Sequence, residues 1–168
     1  NNPYALSKKL AEDVCLFYTQ HYDLPVTVVR PFNIYGPGQP SHFLIPSIIT
    51  QALQNGSVTV GDVTPKRDYV YIDDVTGLLT KMVGKTATGI FNAGTGRSYS
   101  VLEVIGLVEK ILGKKIAIES SKTQRKNEIM DTVAAIDKAR QELNWTPQWD
   151  LEKGLAATIK AIGENLNR

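Results

Sequence analysis

Runs of strand length alternate along this chain with segments of helical spacing, and this alternation limits the folds that the chain can adopt. VTVVR (26–30) is a continuous β-branched run, which predicts a strand that is buried on both faces. Further short strands are predicted at SVTVG, RDYVYI, GIFNAG and KIAIES. Because helical segments separate these runs, the sequence predicts an α/β fold rather than a helix bundle or a β-sandwich.

Capping residues and glycines predict where the helices begin and end. Asn2 and Pro3 start a helix over residues 3–22, whose apolar positions recur at helical spacing. RPFNIYGPGQPSH and SSKTQRKNE are predicted as loops because Pro, Gly and polar residues dominate them. The remaining predicted helices are FLIPSIITQALQNG with Gly56 as its end, a helix capped by Asp73 or Asp74 that runs to about Met82, a helix from the cap Ser100 to Leu112 with Gly113 after it, Asp137–Leu143, and a last helix capped by Asp150 that runs to about Leu166.

The composition argues against several classes of function. The chain has 168 residues, enough for one ordinary domain, and a net charge of +2 with scattered lysines, which is not a nucleic-acid-binding pattern. Cys15 is the single cysteine and is expected to pack in the core, and two histidines without metal-ligand spacing argue against a zinc site. No apolar run is long enough to span a membrane and no secretory pattern is found, so we expect a cytoplasmic protein without metal, membrane or nucleic acid.

Tyr4 and Lys8 lie four residues apart on the first predicted helix, so the phenol and the ammonium group share one helix face. A nearby cation favours the ionised form of a phenol, which makes a tyrosine a usable proton acceptor. An exposed surface pair explains the same spacing equally well in a chain that has seven tyrosines. The pair therefore needs support from other motifs before it is assigned to catalysis.

Five motifs in register provide that support. YALSK, RPFNIYGPGQ, KRDYVYIDDV, FNAGTG and ELNWTP, in this order, resemble the extended short-chain dehydrogenase/reductase superfamily, and most closely its NAD(P)-dependent sugar-nucleotide epimerases and dehydratases. The resemblance implies the C-terminal part of a Rossmann-like doubly wound α/β fold plus a small α/β substrate-binding subdomain. It assigns residues 1–35 to the remnant of the dinucleotide-binding domain and 36–168 mainly to the nucleotide-sugar-binding subdomain. Residues of about 68–94 are expected to return to the Rossmann-like part.

The resemblance also implies roles for individual residues. Tyr4 would exchange a proton with a sugar hydroxyl, and Lys8 would favour the ionised phenol and bind the cofactor ribose. Pro31 and Phe32 would pass beside the nicotinamide, so that these four residues form the expected cofactor contacts.

Asn33 and Arg67 are the implied contacts to the sugar nucleotide, with Arg67 on its pyrophosphate because a guanidinium fork matches paired phosphate oxygens. A turn-forming cap at the end of a strand is the alternative role for Asn33. A surface ion pair with Asp68 or Asp62 is the alternative for Arg67.

Four further substrate contacts are less specific. Arg125 matches a family arginine that is often followed by Pro-Gly-Asp, whereas Lys-Asn-Glu (126–128) follows it here, and a polar solvated loop is its alternative. The other three residues match positions that flank the nucleotide base or order the loop over it, and core packing is their alternative. They are Leu44, Val58 and Val60.

Two pairs of side chains are assigned to structure rather than to chemistry. Asp73 and Asp74 look like paired carboxylates, but they lie at a helix start, where capping is the better account. Trp145 and Trp149 are expected to be packing anchors for the last helix.

The glycine-rich turn that binds the dinucleotide in this family is expected ahead of Tyr4, outside these residues. AGTGRSYS follows a predicted strand and precedes a predicted helix, but Tyr99 stands where the third glycine belongs, so a strand-to-helix turn is favoured over a phosphate site. We therefore expect half of an enzyme: the full-length chain would bind NAD or NADP, and these residues alone would bind no cofactor and be inactive. Without the other half, the apolar side of the first helix is expected to be exposed.

The function implied by the resemblance is that of an NAD(P)-dependent nucleoside-diphosphate-sugar epimerase, which transfers a hydride at a sugar carbon with the tyrosine as acid and base. The full-length protein is expected to be a homodimer. A sugar-nucleotide 4,6-dehydratase and a 4-keto reductase share these motifs and stay open as alternatives, and so does a substrate-binding fragment without catalytic activity.

Overall fold

The computed structural model describes residues 2–84, 87–121 and 128–166, in which helices and strands alternate. The helices are α1 (Pro3–Tyr22), α2 (Leu44–Asn55), α3 (Ile72–Met82), α4 (Val101–Leu112), α5 (Asp137–Leu143) and α6 (Leu151–Leu166). The strands are β1 (Thr27–Pro31), β2 (Asn33–Tyr35), β3 (Ser57–Val60), β4 (Lys66–Tyr71), β5 (Gly89–Ala93), β6 (Ser98–Ser100), β7 (Ala117–Ser120) and β8 (Asp131–Thr132).

Strand β4 is the centre of a four-stranded sheet. β2 and β8 pair with it in parallel, and β6 pairs with it antiparallel. Two further parallel pairs join β1 to β5 and β3 to β7. Parallel strands joined through helices are characteristic of α/β proteins, and they confirm the predicted fold class.

The segment RPFNIYGPGQPSH is not a loop throughout, contrary to the sequence prediction. Its residues Asn33–Tyr35 form β2, in register with Tyr69–Tyr71 of β4. A strand of three residues is too short to show a pattern of its own, and it forms because β4 supplies a neighbouring ladder of backbone hydrogen bonds. This pairing places Asn33 beside Tyr69.

The ends of α2 and α4 lie where the sequence predicts them. The Ser100 hydroxyl accepts a hydrogen bond from the Glu103 N–H at 3.1 Å, and the Glu103 carboxylate accepts one from the Ser100 N–H at 2.8 Å. The Ser100 hydroxyl also donates to this carboxylate at 2.8 Å, and the two bonds that the carboxylate accepts, from the Ser100 N–H and then from the hydroxyl, lower the pKa of Glu103. Gly113 and Gly56 end the two helices in the left-handed region, with φ of 65° and 66°.

The first turn of α3 differs from the prediction. Asp150 caps α6 as predicted by accepting the Lys153 N–H at 2.7 Å, but neither Asp73 nor Asp74 caps α3. That helix begins earlier, at Ile72, so both carboxylates lie inside its first turn. Acidic side chains are favourable there because they face the positive end of the helix dipole.

Asp74 instead ties α3 to the segment that leads into α6. Its buried carboxylate accepts the N–H groups of Gln148 at 2.7 Å and Trp149 at 3.1 Å, and its carbonyl oxygen accepts the Trp145 indole N–H at 3.2 Å. Burial raises the pKa of Asp74, although the two backbone hydrogen bonds oppose this rise. Trp149 stacks on Tyr71 with 4.2 Å between ring centroids, whereas Trp145 packs with α3 and α5 rather than against the last helix.

Two apolar cores lie on opposite faces of β4. Tyr69 and Tyr71 contribute to the first core, and Val70 contributes to the second, because successive side chains of a strand point to opposite faces. The first core joins β2, β3, α2, α4 and α6, and the second joins α3, α5 and β5. The assignment of 1–35 and 36–168 to two domains stays a prediction.

Helix α1 lies outside both cores. None of its residues is buried, and its apolar side is exposed, with relative exposures of 57% for Leu6, 54% for Leu10 and Val14, and 48% for Phe17. Cys15 is half-buried on this helix rather than packed in the core, so that expectation is wrong.

An ion pair connects α1 to β1. Arg30 donates its Nε–H to a Glu12 carboxylate oxygen at 2.6 Å, and a second bond joins its Nη2 to the other oxygen. This fork lowers the pKa of Glu12. The residues of β1 are half-buried or exposed, so the prediction of a strand buried on both faces is wrong, because in the described ranges β1 has β5 as its only strand partner.

Asp68 joins three parts of the chain at one buried carboxylate. It is fully buried on β4 and accepts hydrogen bonds from the Thr95 N–H at 2.8 Å, the Thr95 hydroxyl at 2.7 Å, the Gly96 N–H at 2.9 Å and the Ala134 N–H at 3.1 Å. A buried carboxylate needs such donors to compensate for lost hydration. The loop after β5 and the segment after β8 are thereby fixed against β4.

Gly94 tests how closely these segments pack. A Cβ at this position would overlap the Ala134 side chain and approach the Asp68 carboxylate at 3.0 Å. We expect Gly94→Ala to lower the free energy of unfolding by about 1–3 kcal/mol, because the site is already full. Adding Ala134→Gly should restore part of this loss, and urea unfolding measures both effects.

The matched control is Gly106→Ala on α4, where the added methyl group has no heavy atom within 4 Å apart from its chain neighbours and the nearby backbone of its own helix. This change should raise stability by about 0.5–1 kcal/mol, since alanine favours a helix interior over glycine. If Gly94→Ala proves as stable as Gly106→Ala, the close packing of position 94 against Ala134 is refuted.

Candidate active site

A cleft of about 820 Å³ opens between the first turn of α1, strand β2, the start of α2, the end of β3 and strand β4. Residues from these distant parts of the sequence line it together because β2 and β4 are adjacent strands. The predicted site residues that line it are Tyr4, Phe32, Asn33, Leu44, Val60 and Arg67. Lys8, Pro31 and Val58 do not line it, and Arg125 lies outside the described residues.

The first turn of α1 presents Tyr4 to this cleft. The Asn2 side chain caps the helix by accepting the Ala5 N–H at 2.8 Å, and Pro3 occupies the first helical position. Tyr4 is 71% exposed, and the Lys8 Nζ lies 5.4 Å from the centroid of its ring. The phenol and the ammonium group therefore share one open face of α1, with the phenol at the cleft.

The segment from Pro31 to Asn33 carries the expected contacts beside the nicotinamide and the sugar. Phe32 is half-buried and packs at the edge of the second core, while Pro31 and Asn33 are exposed. Asn33 opens β2 opposite Tyr69 of β4. Its side chain is part of the cleft lining beside two polar residues of β4, Tyr69 and Arg67.

Arg67 pairs with Glu128, which is neither of the partners considered from the sequence. The Nη1 group donates to the carbonyl oxygens of Lys66 and Ile129, both at 2.7 Å, and Nη2 donates to the Glu128 carboxylate. Asp62 instead accepts bonds from Thr64 within its own turn.

These contacts leave part of the guanidinium group available. Of its five N–H donors, three bind Glu128 and the two carbonyl oxygens, so within the described residues the Nε–H and one Nη2–H have no partner. Two donors on one planar group suit a bidentate contact to a carboxylate or a phosphate. The ion pair is half-buried at the cleft wall, where Arg67 is held in one orientation.

The three apolar candidates differ in position. Leu44 and Val60 are half-buried at the start of α2 and the end of β3, and both line the cleft. Val58 is fully buried in the first core, so its alternative role, core packing, is the one that the structure gives it. Val58 and Val60 lie two residues apart on β3 and therefore on the same face, and Val60, at the end of the strand, is the less buried of the two.

The loop AGTG is a strand-to-helix connection whose N–H groups are already bound. The N–H groups of Thr95 and Gly96 both donate to Asp68, so they are not available to a phosphate. This contact agrees with the turn favoured from the sequence.

Sequence reasoning missed several residues of the cleft. Tyr69 lies two residues after Arg67 on the same strand, so the period of two could have placed it on the same face. Glu128 and Gln39 carried no such signal, because both lie in loops, whose course is not set by a repeating side-chain pattern. No three His, Cys, Asp or Glu side chains cluster as metal ligands within 2–84, 87–121 and 128–166, and no helix there is long and apolar enough to cross a membrane.

The comparisons with known proteins agree with this fold. The sequence profile of the GDP-mannose 4,6-dehydratase family matches residues 1–158. The chain therefore belongs to this family, whose relatives are NAD-dependent sugar-nucleotide epimerases and dehydratases, and the predicted resemblance is confirmed.

Three relatives illustrate the match. A UDP-glucuronate 4-epimerase of Thermodesulfobacterium geofontis is 33% identical over 167 residues, covering 98% of this chain and 51% of that protein. A dTDP-glucose 4,6-dehydratase of Streptomyces griseus is 32% identical over 163 residues, covering 95% of this chain and 49% of that protein. The structure of UDP-glucuronic acid 4-epimerase from Bacillus cereus with UDP-glucuronic acid and NAD has a TM-score of 0.88 at 31% identity. The match covers 98% of this chain and 53% of that one. The chain spans about half the length of the curated relatives that it matches.

Proposed function

We propose that this chain is part of an NAD(P)-dependent nucleoside-diphosphate-sugar epimerase, and that it supplies the acid–base tyrosine and much of the sugar-nucleotide site. One observation carries the proposal: Tyr4, Asn33 and Arg67, which the family motifs assign to proton transfer, sugar and pyrophosphate, line a single cleft. Relatives that are named epimerases match nearly the whole chain.

The residues present suit a dinucleotide cofactor at one end of this cleft. Tyr4 and Lys8 offer a hydroxyl group and an ammonium group on one exposed face of α1, which can donate hydrogen bonds to ribose hydroxyls. Phe32 lines the same cleft as Tyr4 and offers an apolar surface there, and the exposed Pro31 precedes it in the chain. When bound, the nicotinamide would accept the hydride from a sugar carbon and return it.

The chain's own residues would then manage one proton and the position of the substrate. The Tyr4 oxygen would take the proton from a sugar hydroxyl as the carbon–hydrogen bond breaks, which leaves a ketone, and would return it in the reverse step. The two available donors of Arg67 would hold the diphosphate, and Asn33 would hold the sugar. Return of the hydride to the opposite face of the ketone would give the epimer.

Replacing Tyr4 by Phe in the complete protein that contains this chain tests the catalytic assignment. The change removes only the phenol oxygen, so we expect kcat to fall by roughly 10²–10⁴-fold while substrate binding persists. Steady-state rates with UDP-glucuronic acid, UDP-glucose and dTDP-glucose measure it, with Tyr18→Phe on the same helix as control. An unchanged kcat on every substrate that the wild type converts would contradict the assignment of Tyr4.

Replacing Arg67 by Ala should have a different effect. It removes a contact made both before and during the reaction, so KM should rise more than kcat falls. The binding of UDP should weaken by roughly 1.5–3 kcal/mol, as expected for the loss of a charge-assisted hydrogen bond, and titration with UDP measures this directly. Arg140→Ala, on the exposed face of α5, is the control, and equal affinities for UDP in both variants would exclude Arg67 from the diphosphate site.

The dehydratase of Streptomyces griseus, at nearly the same identity, supports a 4,6-dehydratase as the second candidate. Product analysis separates the candidates, since an epimerase forms an isomer of its substrate and a dehydratase forms a product lighter by one water. A substrate-binding protein without catalysis would bind the sugar nucleotide and leave it unchanged.

A further inference from the structure

Two buried polar atoms, one on each of two residues that line the cleft, have no hydrogen-bond partner among the described residues. They are the side-chain oxygen Oε1 of Gln39 and the hydroxyl group of Tyr69. Buried polar atoms are almost always hydrogen-bonded, because burial without a partner is unfavourable. Two such atoms in one cleft therefore point to a ligand that completes their bonding.

The orientation of the Gln39 amide is fixed by a bond to the backbone. Its Nε2 donates to the carbonyl oxygen of Ile34 on β2 at 2.9 Å. The opposite orientation would place Oε1 against that carbonyl oxygen, and two acceptors repel each other. Gln39 therefore offers an acceptor, and this acceptor lies beside β2.

Tyr69 offers a donor on the adjacent strand. Only 5% of the residue is exposed, and burial raises the pKa of its hydroxyl group to about 12, so the group keeps its proton at neutral pH. Tyr69 is the register partner of Asn33, the residue before Ile34. The acceptor held at Ile34 and the donor of Tyr69 thus belong to neighbouring positions of the β2–β4 pair.

We propose that Gln39 Oε1 and the Tyr69 hydroxyl bind one hydroxyl group of the ligand. A ligand hydroxyl can donate to Gln39 and accept from Tyr69 at the same time, whereas an ionised phosphate oxygen or a ketone oxygen can only accept. The pair is therefore selective for a hydroxyl group of the ribose or the hexose. The diphosphate is expected at a different position, beside Arg67. This inference rests on the proposed function and names the ligand group that two further residues recognise.

Tyr69→Phe in the complete protein is the direct test, because it removes only the oxygen without a partner. The melting temperature without ligand should stay equal or rise, while the Kd for UDP-glucuronic acid should rise roughly five- to tenfold, as for one lost hydrogen bond. Calorimetric titration and thermal unfolding measure these effects. Tyr71→Phe, two residues further along β4 and outside the cleft lining, is the control and should leave the Kd unchanged.

Gln39→Leu tests whether both residues bind the same group. It also removes the bond to Ile34, so both the affinity and the melting temperature should fall. The double variant should weaken binding by less than the product of the two single effects, since one hydroxyl group is shared. Strictly multiplicative effects would overturn the shared site.

Titration with UDP separates the two sources of the hydroxyl group. A loss of affinity in Tyr69→Phe for UDP as well as UDP-glucuronic acid assigns the ribose, and a loss for UDP-glucuronic acid alone assigns the hexose. Unchanged affinity for both ligands, or a lower melting temperature of Tyr69→Phe without ligand, would overturn the inference and leave the proposed function standing. A wild-type protein that binds no sugar nucleotide would overturn the proposed function itself.

Discussion

The alternation of side chains along β4 is the constraint on which the rest of the structure depends. Arg67 and Tyr69 face the cleft, while Asp68 and Val70 face the loop after β5 and the second core. A shift of one residue in register would exchange the two sets and bury a guanidinium group against apolar side chains. The four hydrogen bonds to Asp68 oppose such a shift, because they require this carboxylate on its own side of the strand.

The same arrangement fixes the orientation of the Arg67 guanidinium group in the cleft. Asp68 binds the N–H of Ala134 just after β8, and Glu128, which binds Arg67, lies just before β8 on the same stretch of chain. The guanidinium group is therefore oriented before any ligand arrives, which lowers the conformational entropy lost on binding. The Glu128 carboxylate also partly offsets the positive charge of Arg67, so that recognition at Arg67 depends on the geometry of the donors as well as on attraction.

Much of the fold could be predicted from the sequence, because the local signals were strong. The capping box at Ser100 and the glycines that end α2 and α4 depend only on residues close together in the sequence, and they lie where predicted. The start of α3 and strand β2 were mispredicted, since Asp74 is held by a segment more than 70 residues away and β2 depends on β4. In the cleft, family motifs led to Tyr4 and Arg67, but no local pattern could show that Gln39 and Glu128 meet them there.

A crystal structure of the complete protein with UDP-glucuronic acid tests the assignment of the cleft most directly. We expect the diphosphate beside the Nε and Nη2 atoms of Arg67, a sugar hydroxyl within hydrogen-bond distance of the Tyr4 oxygen, and a ligand hydroxyl between Gln39 and Tyr69. A nucleotide bound away from this cleft, with Arg67 still engaged only by Glu128 and the two carbonyl oxygens, would contradict the assignment.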